Sequence, residues 1–129
     1  MQDNTILLVE DNADDEALAL RALGHSEFVK EVVVVRDGAE ALDYLFGNGQ
    51  YADRDIALQP RLILLDMKLP KLNGLDVLRR IRQDERTRYH PVVLMTSSRQ
   101  ETDIIAGYSL GANSYVQKPV NFDEFVESI

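Results

Sequence analysis

Residues 62–70 read LILLDMKLP: Leu62, Ile63, Leu64 and Leu65 run straight into Asp66, followed by Met67, Lys68, Leu69 and Pro70. Four consecutive aliphatic residues bounded by polar ones fit a strand buried on both faces. Ending such a strand on a carboxylate is costly unless the charge is partnered. The meaning of Asp66 therefore depends on where the other strands end, and on what stands there.

Four further apolar runs recur: TILLVE (5–10), VVVVR (32–36), VVLMT (92–96) and SYVQK (114–118). Segments of helical period lie between and after them. Leu75, Leu78 and Ile81 fall three apart with Val77 four before Ile81, and Phe122, Phe125, Val126 and Ile129 follow the i, i+3, i+4, i+7 pattern. Helix starts are marked by the capping-box spacing of Asp37 with Glu40, Ser98 with Glu101, and Asn121 with Glu124. Gly24 and Gly47 suit helix stops. Five rounds of strand and helix predict an α/β fold, a doubly wound five-stranded parallel sheet with helices on both faces. The one long connection, GNGQYADRDIALQP (47–60), reads as a polar, turn-rich loop. A chain of 129 residues with no repeat or linker is expected to form a single domain, residues 1–129.

Composition removes several function classes. Net charge is −8, from 22 acidic and 14 basic residues, which argues against a nucleic-acid surface, where a basic stripe is needed. The absence of cysteine excludes disulfides, thiolate chemistry and Cys-based zinc sites. No apolar run approaches the roughly 18 residues of a membrane helix. The start, MQDNT, lacks a basic-then-apolar leader. A cytoplasmic protein is the expectation.

The acids become informative once placed on the sheet. In doubly wound sheets, ligands bind beyond the C-terminal ends of the strands. The first run ends Glu10-Asp11, the third Asp66, the fourth Thr96 and the fifth Lys118. All belong to one edge, so Asp66 is expected at the rim of a shared pocket rather than in the core. Three converging carboxylates repel one another unless a cation joins them. Oxygen donors without His or Cys favour Mg²⁺ or Mn²⁺. A carboxylate beside such an ion, a Lys118 ammonium and a Thr96 hydroxyl can attack phosphorus and form an aspartyl phosphate. Each residue alone has a plainer reading. Asp66 suits a turn, Asp11 or Asn12 a helix cap, Thr96 an ordinary strand position and Lys118 a solvated surface. The joint placement of all of them at strand ends favours the site.

These residues, Glu10-Asp11, Asp66 with Pro70 four later, Thr96 after VVLM, and Lys118-Pro119, resemble the receiver domain of two-component response regulators. The 22-residue interval from Thr96 to Lys118 and Tyr115 three before the lysine agree, and the likeness covers essentially the whole chain. The resemblance implies the sheet order 2-1-3-4-5 of the flavodoxin-like receiver, for which a chemotaxis receiver is a standard example. It implies that Asp66 accepts phosphate from the phosphohistidine of a sensor histidine kinase. It implies that Asp11, Asp66 and the main-chain carbonyl of Lys68 bind Mg²⁺, with Glu10 acting through water. Backbone N–H groups of Met67 and Ser97, with Thr96 and Lys118, would hold the phosphoryl group. Tyr115 would be an aromatic switch coupled to Thr96, and Lys118-Pro119 a cis peptide. The 47–60 connection and the segment TSSRQETDIIAGYSLGANSYVQKPVNFDEF (96–125) resemble small standalone regulators paired with bacterial phytochromes. No effector domain follows Lys118-Pro119, so the expected output is a contact with a downstream protein, without turnover of a separate substrate. The last helical segment, Phe122 to Ile129, is shorter than relatives carry, which leaves homodimerisation open.

Two other classes share part of this pattern. A haloacid-dehalogenase-type phosphatase places a second Asp two residues after its nucleophile, where this chain has Lys68. A flavodoxin-like redox binder needs a Ser/Thr/Gly-rich phosphate loop after its first strand, where EDNADDE (10–16) offers acids. Turnover of a generic phosphomonoester, or a yellow colour on purification, separates them.

Overall fold

The computed structural model describes residues 2–26, 29–56, 58–96, 108, 109 and 111–117. In chain order the elements are β1 (Gln2–Val9), α1 (Ala13–Leu23), β2 (Glu31–Val35), α2 (Gly38–Phe46), a 3-10 turn (Gly49–Tyr51), β3 (Gln59–Asp66), α3 (Gly74–Gln83), β4 (Val92–Thr96) and β5 (Ser114–Gln117). The strands form one parallel sheet in the order β2-β1-β3-β4-β5. This is the expected topology. The expected helix starts at Ser98 and Asn121, the segment 122–129 and the Lys118-Pro119 peptide lie outside the described residues.

The unbroken apolar runs are explained by what covers each face. Alternate residues of a strand point to opposite sides. Leu7, Val9, Ile63, Leu65 and Leu94 pack with Ala41, Leu42 and Leu45 of α2 and Val77, Leu78 and Ile81 of α3. Ile6, Leu8, Leu64, Val93 and Met95 pack on the other side with Ala19, Ala22 and Leu23 of α1. Both faces are therefore dry, and neither can alternate with polar residues.

Side chains that accept from backbone N–H groups start the helices. Asn12 accepts from Asp15 N at 3.0 Å, Asp37 from Glu40 N at 2.7 Å and Asn73 from Asp76 N at 2.9 Å. The Asp37–Glu40 pair is not a fully reciprocal box, because Glu40 Oε1 reaches past Asp37 to accept from Arg36 N at 3.1 Å. Gly47 ends α2 in the left-handed region, at φ 69°, whereas Gly24 follows α1 at φ −64°.

The long connection is more structured than its composition suggests. Tyr51 donates its hydroxyl hydrogen to Glu40 Oε2 at 2.9 Å, and its ring meets that of Tyr44 edge to face at 5.2 Å. Burial first, then the Glu40 carboxylate, pushes the Tyr51 pKa up to about 12. The Arg54 guanidinium lies 4.1 Å over the Tyr44 ring and donates to the carbonyls of Tyr44 (2.7 Å), Leu45 (3.4 Å) and Leu58 (2.6 Å). Two of these carbonyls belong to the last turn of α2, which has no helical N–H left to offer them.

Gln59 fixes the state of a buried histidine. Its amide nitrogen donates to Leu45 O at 3.3 Å and Ile56 O at 2.6 Å, so its oxygen faces His90 Nε2 at 2.9 Å. That nitrogen must carry the hydrogen of the neutral ring. Burial, followed by the charge of Arg82, holds the His90 pKa below its ordinary value. As pH falls, the unfolded chain therefore binds a proton here before the folded one does. Above roughly pH 6.5 the site is pH-neutral, and below that it subtracts stability. In urea unfolding between about pH 7.5 and pH 5.5, wild type should lose more stability than His90→Gln does. Equal losses would remove His90 from the acid response.

An acidic site at the C-terminal edge of the sheet

Strand register assembles the site. Val9 pairs with Leu65, so Glu10 and Asp66 emerge side by side from β1 and β3. Asp66 pairs with Met95, which puts Thr96 one step further along β4, opposite Gln117 of β5. One carboxylate oxygen from each of Glu10, Asp11 and Asp66 lies within 4.8 Å of the others. Oxygens bound to one Mg²⁺ at about 2.1 Å sit no more than about 4.2 Å apart. A small side-chain adjustment therefore suffices for a shared hard cation, and the all-oxygen donor set fits one.

Asp66, expected at the rim of a shared pocket, is 5 % exposed, Glu10 and Thr96 are 1 % exposed, and only Asp11 of the three acids faces solvent. Backbone amides replace the water that the two buried acids lose. Lys68 N donates to Asp66 Oδ1 at 3.1 Å, and Asn12 N donates to Glu10 Oε1 at 3.1 Å. Both donors come from the residue two ahead, where the chain turns back over the strand end.

The turn after β3 closes tightly. Gly74 N donates to Met67 O at 2.8 Å, and Leu72 N donates to Pro70 O at 2.8 Å. The second bond closes a three-residue turn with Lys71 at φ 66°, a backbone state that non-glycine residues seldom adopt. Lys71 Nζ reaches Asp37 Oδ2 at 3.4 Å. A Cβ on Gly74 would stand 2.3 Å from Asp66 O, and one on Gly38 would stand 2.3 Å from Leu72 O. Helix α3 thus starts pressed against the end of β3 at Asp66, and α2 against the loop that follows it. Sequence reasoning missed both glycines. Their signal is a capping residue followed directly by glycine, Asp37-Gly38 and Asn73-Gly74.

The Met67 amide, expected to face a phosphoryl group, donates to Met95 O at 2.9 Å. Successive N–H groups of a strand point to opposite neighbours, and Ile63 N likewise points to β4, donating to Pro91 O at 3.0 Å. The Lys68 amide is directed at the Asp66 carboxylate. Tyr115 sits in β5 opposite Leu94. Its side chain, and Ser97 and Lys118, lie outside the described residues.

With a parallel 2-1-3-4-5 sheet and an acid cluster at its carboxyl edge, residues 6–129 match the protein family described as response regulator receiver domain. The chain belongs to that family. This receiver is 38 % identical over 124 residues to the response regulator Rcp1 of Synechocystis sp., covering 96 % of this chain and 82 % of that one. The solved structure of the phosphorylated cyanobacterial phytochrome response regulator RcpA is similar at TM-score 0.84 and 42 % identity, over 96 % of this chain and 86 % of that chain. The Mn²⁺-bound form of Rcp1 gives TM-score 0.83 at 37 % identity, over 96 % and 87 %. As a response regulator receiver domain the chain is a phosphoacceptor of two-component signalling, which implies a histidine kinase as partner. Its Glu10, Asp11 and Asp66 cluster has the donors to hold a divalent metal ion. Among the described residues, no helix is long and apolar enough to cross a membrane.

Proposed function

We propose that Asp66 is the phosphoacceptor and that Mg²⁺, with Mn²⁺ as a substitute, is the ion of the acid cluster. The observation that carries this reading is the register that brings Glu10, Asp66 and Thr96 to adjacent strand ends, with Asp11 beside them. An oxygen of the Asp66 carboxylate attacks the phosphorus of the kinase's phosphohistidine, and the P–N bond breaks as imidazole leaves. The Lys68 amide steadies the carboxylate, and the Met67 amide would face the incoming phosphoryl group. Asp11, Asp66 and the Lys68 carbonyl would hold the ion directly, and Glu10 through water. When bound, the ion offsets charge on the transferring phosphoryl oxygens. Thr96, the Ser97 amide and Lys118 would hold those oxygens. The partner is a phytochrome-type sensor kinase, a reading supported by the likeness to RcpA.

The test is phosphotransfer from an autophosphorylated histidine kinase. Label should move to this chain with Mg²⁺ and slow by on the order of 100-fold with EDTA. Transfer unaffected by EDTA would remove the ion from the reaction. We assign the output to Thr96 and Tyr115: a phosphoryl group of about −1.5 to −2 charge draws the Thr96 hydroxyl toward it, and Tyr115 responds. With the phosphoryl mimic beryllofluoride bound, NMR shifts should extend into β5 in wild type but stay near Asp66 in Thr96→Ala. Identical spread in both would end the switch assignment.

A further inference from the structure

Arg82, in the last turn of α3, places every N–H of its guanidinium on an oxygen acceptor. Nε donates to Gly111 O at 2.9 Å, and Nη2 donates to Gly111 O at 2.7 Å and Asn113 Oδ1 at 2.8 Å. Nη1 donates to His90 O at 2.7 Å and Arg88 O at 3.0 Å. A guanidinium has five N–H groups, and all five are used here. The acceptors come from two segments: the loop between α3 and β4, and the loop leading into β5.

The second of these loops is shaped around the guanidinium. Gly111 has φ 95°, and a Cβ there would stand 2.9 Å from Arg82 Nε. Asn113 is then locked to the first residue of β4 twice. Its N–H donates to Val92 O at 2.9 Å, and its Oδ1 accepts from Val92 N at 2.9 Å. From Asn113 the chain enters β5, a four-residue strand that among the described residues is paired only with β4. So short a strand holds its own register weakly, and a slip of one residue turns every side chain to the opposite face. Yet the pairing of Thr96 with Gln117 sets the end of β5, the residue before Lys118 in the sequence, against the strand that carries Thr96.

We propose that Arg82 is a positioning residue for phosphoryl transfer, setting the register of β5 from the far end of the sheet and so placing Lys118 and Tyr115 relative to Thr96. The inference rests on the reading of Lys118 as a phosphoryl ligand. The described partners of Arg82 do not include the acid cluster, which stands at the ends of β1 and β3. Rate and metal affinity should therefore separate.

The experiment measures, in the full chain, the phosphorylation rate with acetyl phosphate at saturating Mg²⁺ and the affinity for Mn²⁺ by water-proton relaxation. Lysine keeps the charge of Arg82 but lacks its fork of donors. Misplacing a reacting group by about 1 Å costs on the order of 100-fold. A partial loosening in Arg82→Lys should thus slow phosphorylation about tenfold while Mn²⁺ affinity stays within about twofold. If Arg82→Lys does not fold, Asn113→Ala decides by the same two readouts, with slowing of about threefold expected. An unchanged rate overturns the proposal, as does a parallel loss of rate and Mn²⁺ affinity, which would mark a general structural role. A wild-type chain that binds Mn²⁺ but takes up no phosphate would overturn the proposed function, and this inference with it.

Discussion

Asp66→Asn should take up no phosphate from acetyl phosphate and Mg²⁺ under conditions that fully modify the wild type. Asparagine matches the shape of the aspartate but offers no anionic oxygen to attack phosphorus, so a rate loss of at least about 1,000-fold is expected. The variant should nevertheless fold. The Lys68 amide that donates to Asp66 Oδ1 can donate equally to an amide oxygen. Three carboxylates crowded within 4.8 Å become two, which relieves repulsion whenever no cation is bound. Without metal, Asp66→Asn is therefore expected to be at least as stable as wild type in urea. Intact-mass measurement decides the chemistry: an acid-labile phosphoryl increment of wild-type size in Asp66→Asn would end the assignment of this residue.

Gly74→Ala should damage both fold and site. The added methyl would stand 2.3 Å from Asp66 O and 2.6 Å from Met67 Cα, closer than real Cβ contacts come. Both neighbours are backbone, so neither can swing aside as a flexible side chain would. Relief requires β3 and α3 to separate, at about 1–3 kcal/mol. That exceeds the roughly 0.5–1 kcal/mol by which alanine improves on glycine in a helix. Because the displaced atoms include the Asp66 carbonyl, Mn²⁺ affinity should fall along with stability. Gly24→Ala is the control. Its nearest neighbour, Leu20 O, is 3.2 Å away and its φ is −64°, so the change should be close to neutral. Wild-type stability and Mn²⁺ affinity in Gly74→Ala would disprove so close an approach.

The strand ends were legible because each strand is a continuous apolar run, and a run buried on both faces must show its end as a polar residue. Glu10, Asp66 and Thr96 could be placed together from that alone, once a parallel sheet was inferred. Strand beginnings were less legible. β3 starts at Gln59 and β1 at Gln2, earlier than the apolar runs, because Gln2 pairs with Gln59 and Asp3 with Pro60 across an irregular step. Proline is tolerated at such a strand start, so composition masks the extension. The burial of Asp66 was missed because it depends on a loop folding back over the strand. The bond from the Met67 amide to Met95 was not legible because the direction of an N–H follows strand pairing, not residue type. Arg82 left no sequence signal either, since four of its five hydrogen bonds go to carbonyls that every residue carries.

The anchoring of the 47–60 connection by Arg54 and Gln59 bears on how the chain folds. Joining α2 to β3 through so long a segment would ordinarily lengthen a closure, and chain entropy opposes each lengthening. Here Arg54 meets the carbonyls of Tyr44 and Leu45 across ten and nine residues, Tyr51 meets Glu40 across eleven, and Gln59 meets Leu45 across fourteen. Each contact shuts a small loop, and contacts of low sequence separation favour rapid folding. The segment from α2 to the start of β3 can therefore collapse as a local unit, delivering β3 to the edge of β1 already shortened in effective reach.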